Sequence, residues 1–212
     1  MTDDETALYD RQIRVWGLEA QKNIRSFRVH VIGCNQLSSE ILKNLCLVGI
    51  HITVQKCDKI YSNVRESCLL GKEYLGMRYS EALVLAMKEM NPTSEYAETE
   101  VEQPGADFIC VCEKDLMASG NYFWCFQAGN KAIARLNLKN HTYLFKDELH
   151  SVSFEADCSS DVDCMPCSVS TNAVFGGMIA QEIVKIASKQ GKLLGNYLEY
   201  DSNTFHMIAK VQ

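Results

Sequence analysis

The run Arg28-Val29-His30-Val31-Ile32-Gly33 most constrains how this chain can fold, because it passes directly into Leu37, Ile41, Leu45 and Val48 at helical spacing and then into Gly49. A short apolar strand that turns at a glycine into an amphipathic helix is a β-turn-α unit, and residues 50–54 resume as strand. A strand of this kind belongs in the interior of a parallel sheet. The alternation continues. Residues 81–90 read as a helix stopped by Asn91-Pro92, 94–101 as a polar edge strand, 107–112 as a buried strand, 116–128 as a helix ending at Gly129-Asn130, and 131–138 as another strand. The pattern predicts an α/β fold, a largely parallel Rossmann-like sheet with helices on both faces.

Two short runs, Thr142-Tyr143-Leu144-Phe145 and Ser151-Val152-Ser153-Phe154, suggest a hairpin, and residues 156–166 are polar. An amphipathic helix over 171–188 follows, in which Gly176-Gly177 would let a neighbouring backbone come close. Asp201-Ser202-Asn203-Thr204 joins two terminal strands. Ahead of the β-turn-α unit, Tyr9, Ile13, Trp16, Ala20 and Ile24 form one apolar stripe at spacings of four, three, four and four. One helix carrying that stripe leaves Arg11 and Arg14 together on a neighbouring face, and Thr2 with Glu5 has capping-box spacing at its start.

With 212 residues, 47% of them hydrophobic and 23% charged, a single compact domain is expected. It divides into an N-terminal helix (1–26), a Rossmann-like core with hairpin (27–155), a linker (156–166), and a helix with closing strands (167–212). The 21 basic and 27 acidic residues give a net charge of -6, which argues against nucleic acid as a partner. The ten cysteines lie mostly in apolar runs and read as small buried hydrophobes. The acidic start, without an apolar core behind it, and the lack of a membrane-length apolar run lead to the expectation of no membrane span and a reducing intracellular compartment.

A phosphate-binding βα turn wants glycines where the chain turns, where backbone meets phosphate and where helix packs on strand. Here Gly33-Cys34-Asn35-Gln36-Leu37-Ser38 keeps only the first. Asn35 is a candidate for left-handed backbone, but its side chain and that of Ser38 would crowd a phosphate. An acidic residue should end the next strand, yet Val54-Gln55-Lys56-Cys57-Asp58 places a lysine there. Either Lys56 serves an unusual nucleotide site or the fold has outlived its pocket, and the joint failure of both parts favours the second. Cys164-Met165-Pro166-Cys167 has zinc-ligand spacing, but the nearest further sulfurs are Cys158 and the Cys110/Cys112 pair, so structural zinc is not expected. Cys167, ahead of a helix, is the one position suited to an activated thiol. His30 and His51 read as core or edge histidines, and His141, His150 and His206 have no recognisable partner.

Residues 9–21, the unit 31–49, Met90-Asn91-Pro92 and Phe175-Gly176-Gly177-Met178-Ile179-Ala180-Gln181-Glu182-Ile183-Val184-Lys185 resemble the ubiquitin-like-modifier activating enzymes, and within them the smaller, regulatory subunit of the SUMO-activating enzyme. Asn196-Tyr197-Leu198-Glu199-Tyr200-Asp201 is similar to the strand that closes their ThiF/MoeB-type adenylation fold. The resemblance implies a heterodimer in which the catalytic partner subunit alone binds ATP, Mg and the modifier's C-terminus. Arg11 would then reach in trans to the partner's ATP phosphates. Arg14, Phe175, Gly176, Gly177 and Gln181 would serve the subunit interface, and the complex would be nuclear or cytoplasmic. Members usually carry a catalytic-cysteine insertion where this chain has only 156–166, and Ser62-Asn63-Val64-Arg65 only faintly matches the loop of active halves. Alternatives are the equivalent subunit of a Nedd-type enzyme, a stand-alone adenylating enzyme of the molybdopterin or thiamine type, and a non-enzymatic scaffold of the same fold.

Overall fold

The computed structural model describes residues 1–100, 105–114, 116, 118–139 and 169–211. Its centre is an eight-stranded sheet, β1 (Arg28–Ile32), β2 (His51–Gln55), β3 (Tyr96–Thr99), β4 (Phe108–Val111), β5 (Tyr122–Ala128), β6 (Lys131–Asn137), β7 (Tyr197–Asp201) and β8 (His206–Lys210). The spatial order is β3-β2-β1-β4-β5-β6-β7-β8. The five strands from β3 to β5 are mutually parallel, and β6, β7 and β8 add antiparallel ribbons. The expected α/β fold with a largely parallel sheet and closing C-terminal strands is therefore present, and the strand read as polar and marginal, β3, is an edge.

Among the described residues six α-helices accompany the sheet: α1 (Asp3–Leu8), α2 (Asp10–Trp16), α3 (Leu18–Ser26), α4 (Gln36–Val48), α5 (Tyr79–Met90) and α6 (Val169–Ser188). α4 lies between α5 and α6, and α3 packs on α6, so these four form one continuous layer. They cover the sheet face that carries Val29, Val31, Phe108, Cys110, Phe123, Cys125, Ala132, Ala134 and Leu198, all within the main core, so among the described residues these helices lie on one face rather than on both as expected. On the opposite face Ile32, Ile109 and Val111 form a smaller cluster flanked by Tyr122 and Trp124.

Two further expectations are corrected. The opening segment is three short helices rather than one. Gly17, at φ +87°, ends α2 and begins α3, which breaks the stripe into Tyr9 on one piece and Ala20 with Ile24 on another. The second is residues 116–128, read as a helix, which contain β5 instead. Along it Phe123 and Cys125 point into the core while Tyr122, Trp124 and Phe126 are only half buried, a period of two that four aromatic residues support. The hairpin, the linker, Cys158, Cys164 to Cys167, His141 and His150 lie outside the described residues.

Candidate functional site

A buried tyrosine ties the start of the N-terminal helices to the ends of α4 and α5. Tyr9, 1% exposed, accepts a hydrogen bond at its hydroxyl from Asn91 Nδ2 (2.9 Å), and the hydroxyl also bonds Thr93 Oγ1 (2.9 Å). Asn91 Nδ2 donates as well to the Cys46 carbonyl (2.8 Å), joining the end of α5 to the end of α4. Gly49 caps α4 in left-handed backbone at φ +90°, and a Cβ there would lie 2.5 Å from the Tyr9 hydroxyl and 2.9 Å from Arg25 Cδ. Glycine is required twice over, by backbone conformation and by the approaching ring. This gives a physical account of why Tyr9, Gly49 and the Asn91-Pro92 stop occur in one chain.

Arg25 completes that junction and escaped the sequence reading. Its guanidinium donates to the Gly49 carbonyl (2.6 Å), Ser94 Oγ (2.6 Å), the Thr93 carbonyl (2.7 Å) and Glu5 Oε1 (2.6 Å). Glu5 in turn closes the predicted capping box with Thr2. The Thr2 backbone N–H and the Arg25 guanidinium hold its carboxyl below the usual range. The only hint of this in the sequence is a Glu and an Arg twenty residues apart, a separation to which no periodicity assigns meaning.

Arg11 and Arg14 sit on α2 and both are exposed. Arg14 is paired with Asp10 at 2.9 Å, one helical turn away. Arg11 has no ion pair or hydrogen bond among the described residues, so its fork faces outward on a short helix anchored by Tyr9 and by Gln12 Nε2, which donates to the Leu47 carbonyl (3.1 Å). Of the other expected interface residues, Phe175 is fully buried and Gly176 meets α4, where a Cβ would stand 2.8 Å from Glu40 Cγ. Gly177 has open space around it, and Gln181 is exposed. The structure thus places Phe175 and Gly176 within this chain's own α4–α6 contact, while Arg11, Arg14 and Gln181 stay on its surface.

The glycine turn sits where the sheet reverses its direction of winding, between the carboxyl ends of β1 and β4. The chain fills it with its own atoms. Gly33 has φ +102°, and a Cβ would be 2.9 Å from Glu113 Cγ and 3.0 Å from the Cys112 carbonyl carbon, so the segment after β4 presses directly on the turn. Asn35 is extended at φ -147°, not left-handed as expected, and forms a capping box in which its Oδ1 accepts from Ser38 N (3.0 Å) and Ser38 Oγ accepts from Asn35 N (3.0 Å). Asn35 Nδ2 then donates across the gap to the Cys112 carbonyl (2.7 Å). A cleft of about 280 Å³ remains, lined by Asn35, Leu37, Cys112, Glu113, Lys114 and Gln127 among others. Lys56 points away to an exposed ion pair with Glu100 (2.6 Å). At this turn the Asn35 and Ser38 side chains engage the first backbone N–H groups of α4, and Glu113 and Lys114 both line the cleft.

His30 is buried, with Nδ1 bonded to Thr53 Oγ1 (3.0 Å), and burial pushes its pKa down. His51 Nδ1 accepts from Glu95 N (2.9 Å), and its pKa is lowered by burial first and then by Arg25. Both are structural histidines, as their strand positions indicated. Among the described residues no group of three or more His, Cys, Asp or Glu is arranged to hold a metal, and no helix is long and apolar enough to cross a membrane.

Comparison with known proteins follows the same lines. The profile of the ThiF family matches residues 9–212. SUMO-activating enzyme subunit 1 of Xenopus tropicalis is 33% identical over 159 residues, which is 69% of this chain and 46% of that protein. Its Xenopus laevis counterpart is 36% identical over 134 residues, 58% of this chain and 39% of that protein. The chain thus spans less than half the length of either relative. A crystal structure of E. coli MccB with selenomethionine MccA superposes with a TM-score of 0.77 at 14% identity, over 95% of this chain and 70% of that one, a likeness of fold.

Proposed function

The chain belongs to the ThiF family, and from that premise we propose that it is the regulatory, non-ATP-binding half of a heterodimeric activating enzyme for a ubiquitin-like modifier, SUMO in particular. Its similarity to SUMO-activating enzyme subunit 1 supports the choice of modifier. The turn closed by Asn35, Ser38 and Glu113 supports the division of labour, since a chain that fills its own anion site needs the nucleotide elsewhere. In this reading ATP and its magnesium ion sit on the catalytic partner subunit, and the complex works in the nucleus or cytoplasm.

The observation that carries the reading is Arg11: a charged fork with no ion pair or hydrogen bond among the described residues, on a helix anchored by Tyr9 and Gln12. An exposed, permanently charged donor fixed at its base is suited to completing a neighbour's phosphate site. As the modifier's terminal carboxylate attacks the α-phosphorus, negative charge builds on the phosphate oxygens, and Arg11 would stabilise it with hydrogen bonds that strengthen in the transition state. Arg14, tied to Asp10, keeps α2 in register for that reach.

Pyrophosphate exchange by the reconstituted heterodimer tests this. Arg11→Ala should slow it by on the order of a hundredfold, the effect of removing one charge-stabilising donor, with assembly unchanged by size-exclusion chromatography. Exchange at the wild-type rate would remove Arg11 from the mechanism, and tight ATP binding by the isolated chain would overturn the division of labour.

A further inference from the structure

We propose that Cys57 and Cys34 are a dithiol that a hydroperoxide oxidises to an intramolecular disulfide, clamping the end of β2 to the turn after β1. The sheet register places them together. β1 and β2 are parallel with Val29 opposite Ile52 and Val31 opposite Val54, a constant offset of 23 residues, and Cys34 and Cys57 follow the adjacent carboxyl ends of the two strands at that same offset. Neighbouring strands run about 4.8 Å apart, inside the Cα separation that a disulfide spans. The two thiols lie close enough that each shifts the other's titration, Cys34 upward and Cys57 downward.

The surroundings divide the work between the two sulfurs. Cys57 is half exposed, whereas Cys34 is 9% exposed. Cys57 also stands at the start of α5, whose N-cap residue Arg78 makes no side-chain cap. In its place the Ser80 hydroxyl accepts from Cys57 N (3.2 Å) and lies 3.3 Å from the Cys57 carbonyl oxygen. Lys59 Nζ lies 3.5 Å from the Cys34 carbonyl oxygen and 2.9 Å from Glu66, and Glu98, paired with Arg78 at 2.8 Å, receives a hydrogen bond from the Ser80 hydroxyl (3.0 Å). The hydrogen bond from Cys34, followed by those from Ser80 and Lys59, outweighs burial and lowers the Cys57 thiol to about 6. A thiolate at a helix N-terminus beside a second thiol is the arrangement of an attacking and a resolving cysteine. Cys68, by contrast, is pushed up to about 11, first by burial of its sulfur.

The chemistry balances with the peroxide as sole oxidant. The Cys57 thiolate attacks the terminal peroxide oxygen, the O–O bond breaks, and the alkoxide or hydroxide leaves with a proton from water, giving a sulfenic acid. Cys34 sulfur then attacks Cys57 sulfur, the S–O bond breaks, and hydroxide departs as water with the Cys34 proton. Two electrons pass from the thiol pair to the peroxide, and a small dithiol reverses the bond.

The test uses the full chain, reduced and treated with stoichiometric hydrogen peroxide, quenched with N-ethylmaleimide and mapped by mass spectrometry. The first oxidised species should be a peptide pair joining Cys34 to Cys57, lost on adding dithiothreitol. In Cys34→Ser, dimedone should trap Cys57 as its sulfenic acid, and in Cys57→Ser the first oxidation should slow by at least about tenfold. Circular dichroism establishes that each variant is folded. In the unaltered protein, Cys57 should react with iodoacetamide at pH 7 well before Cys68, a readout that needs no variant. A first crosslink between other cysteines, no crosslink, or equal labelling of Cys57 and Cys68 overturns the proposal.

Discussion

Gly49 shows how much one residue can hold here. Its positive φ and the Tyr9 ring against its Cα each exclude a side chain, so Gly49→Ala must both strain the backbone and displace the tyrosine that seats α2. The expected loss is about 2 kcal/mol or more, combining the left-handed backbone penalty with disturbed packing, and urea unfolding would read it. A loss within a few tenths of a kcal/mol would mean that Tyr9 does not pin the junction. The sequence exposed half of this constellation. Gly49 was legible as a helix stop and Tyr9 as part of an apolar stripe, but their contact was not, because residues forty apart meet only when α4 and the N-terminal helices pack together. Arg25 was invisible for the same reason: its four hydrogen-bonded acceptors are carbonyls, a hydroxyl and a carboxylate brought in by three separate segments. Arg11 was singled out by family likeness, and the structure adds that Arg14, not Arg11, is the arginine engaged within the helix.

At the scale of the element, α6 contrasts two adjacent glycines. Gly176 lets α6 approach α4 so closely that a methyl group would press on Glu40 Cβ and Cγ, at 2.9 and 2.8 Å, whereas at Gly177 a methyl group would meet nothing within 4 Å. Gly176→Ala should therefore destabilise the protein by roughly 1–3 kcal/mol through overpacking. Gly177→Ala should stabilise it by about 0.5–1 kcal/mol, because alanine is the better helix former. Thermal unfolding of the pair decides the point, and equal shifts in the same direction would contradict the α4–α6 geometry. The helix itself was evident from its apolar spacing, but nothing in two consecutive glycines says which one faces the neighbour. β5 carried the opposite lesson. Its aromatic run was read with a period near 3.6 because helices and strands had alternated so far, yet Phe123 and Cys125 alternate with Tyr122, Trp124 and Phe126 at period two. That choice is settled by two strand partners, β4 on one side and β6 on the other.

For the molecule as a whole, stability should fall in mild acid. His30 and His51 have lowered pKa values in the fold, so below about pH 6.5 the unfolded chain takes up protons that the folded chain resists, and each group's contribution, complete above that pH, fades as the solution is acidified. Glu5, held below 4.5 by Thr2 and Arg25, adds a second loss of the same sign when the pH drops further and its carboxyl is protonated. Denaturation midpoints at pH 7.5 and pH 5 should differ by on the order of 1 kcal/mol or more, and His30→Gln should flatten part of the slope. Stability that rises between pH 7.5 and pH 5 would show that neither histidine is kept neutral by its surroundings.

The sequence alone determined the β-turn-α unit, the edge position of β3 and most helix spans, because each follows from local spacing and local backbone chemistry. Only the tertiary structure decided that Asn35 bridges to the Cys112 carbonyl, that Gly33 lies under Glu113, and that Arg25 ties Glu5 to the ends of α4 and α5. Those are contacts between residues 20 to 80 positions apart. Their existence depends on the order and register of strands, which chain periodicity does not encode.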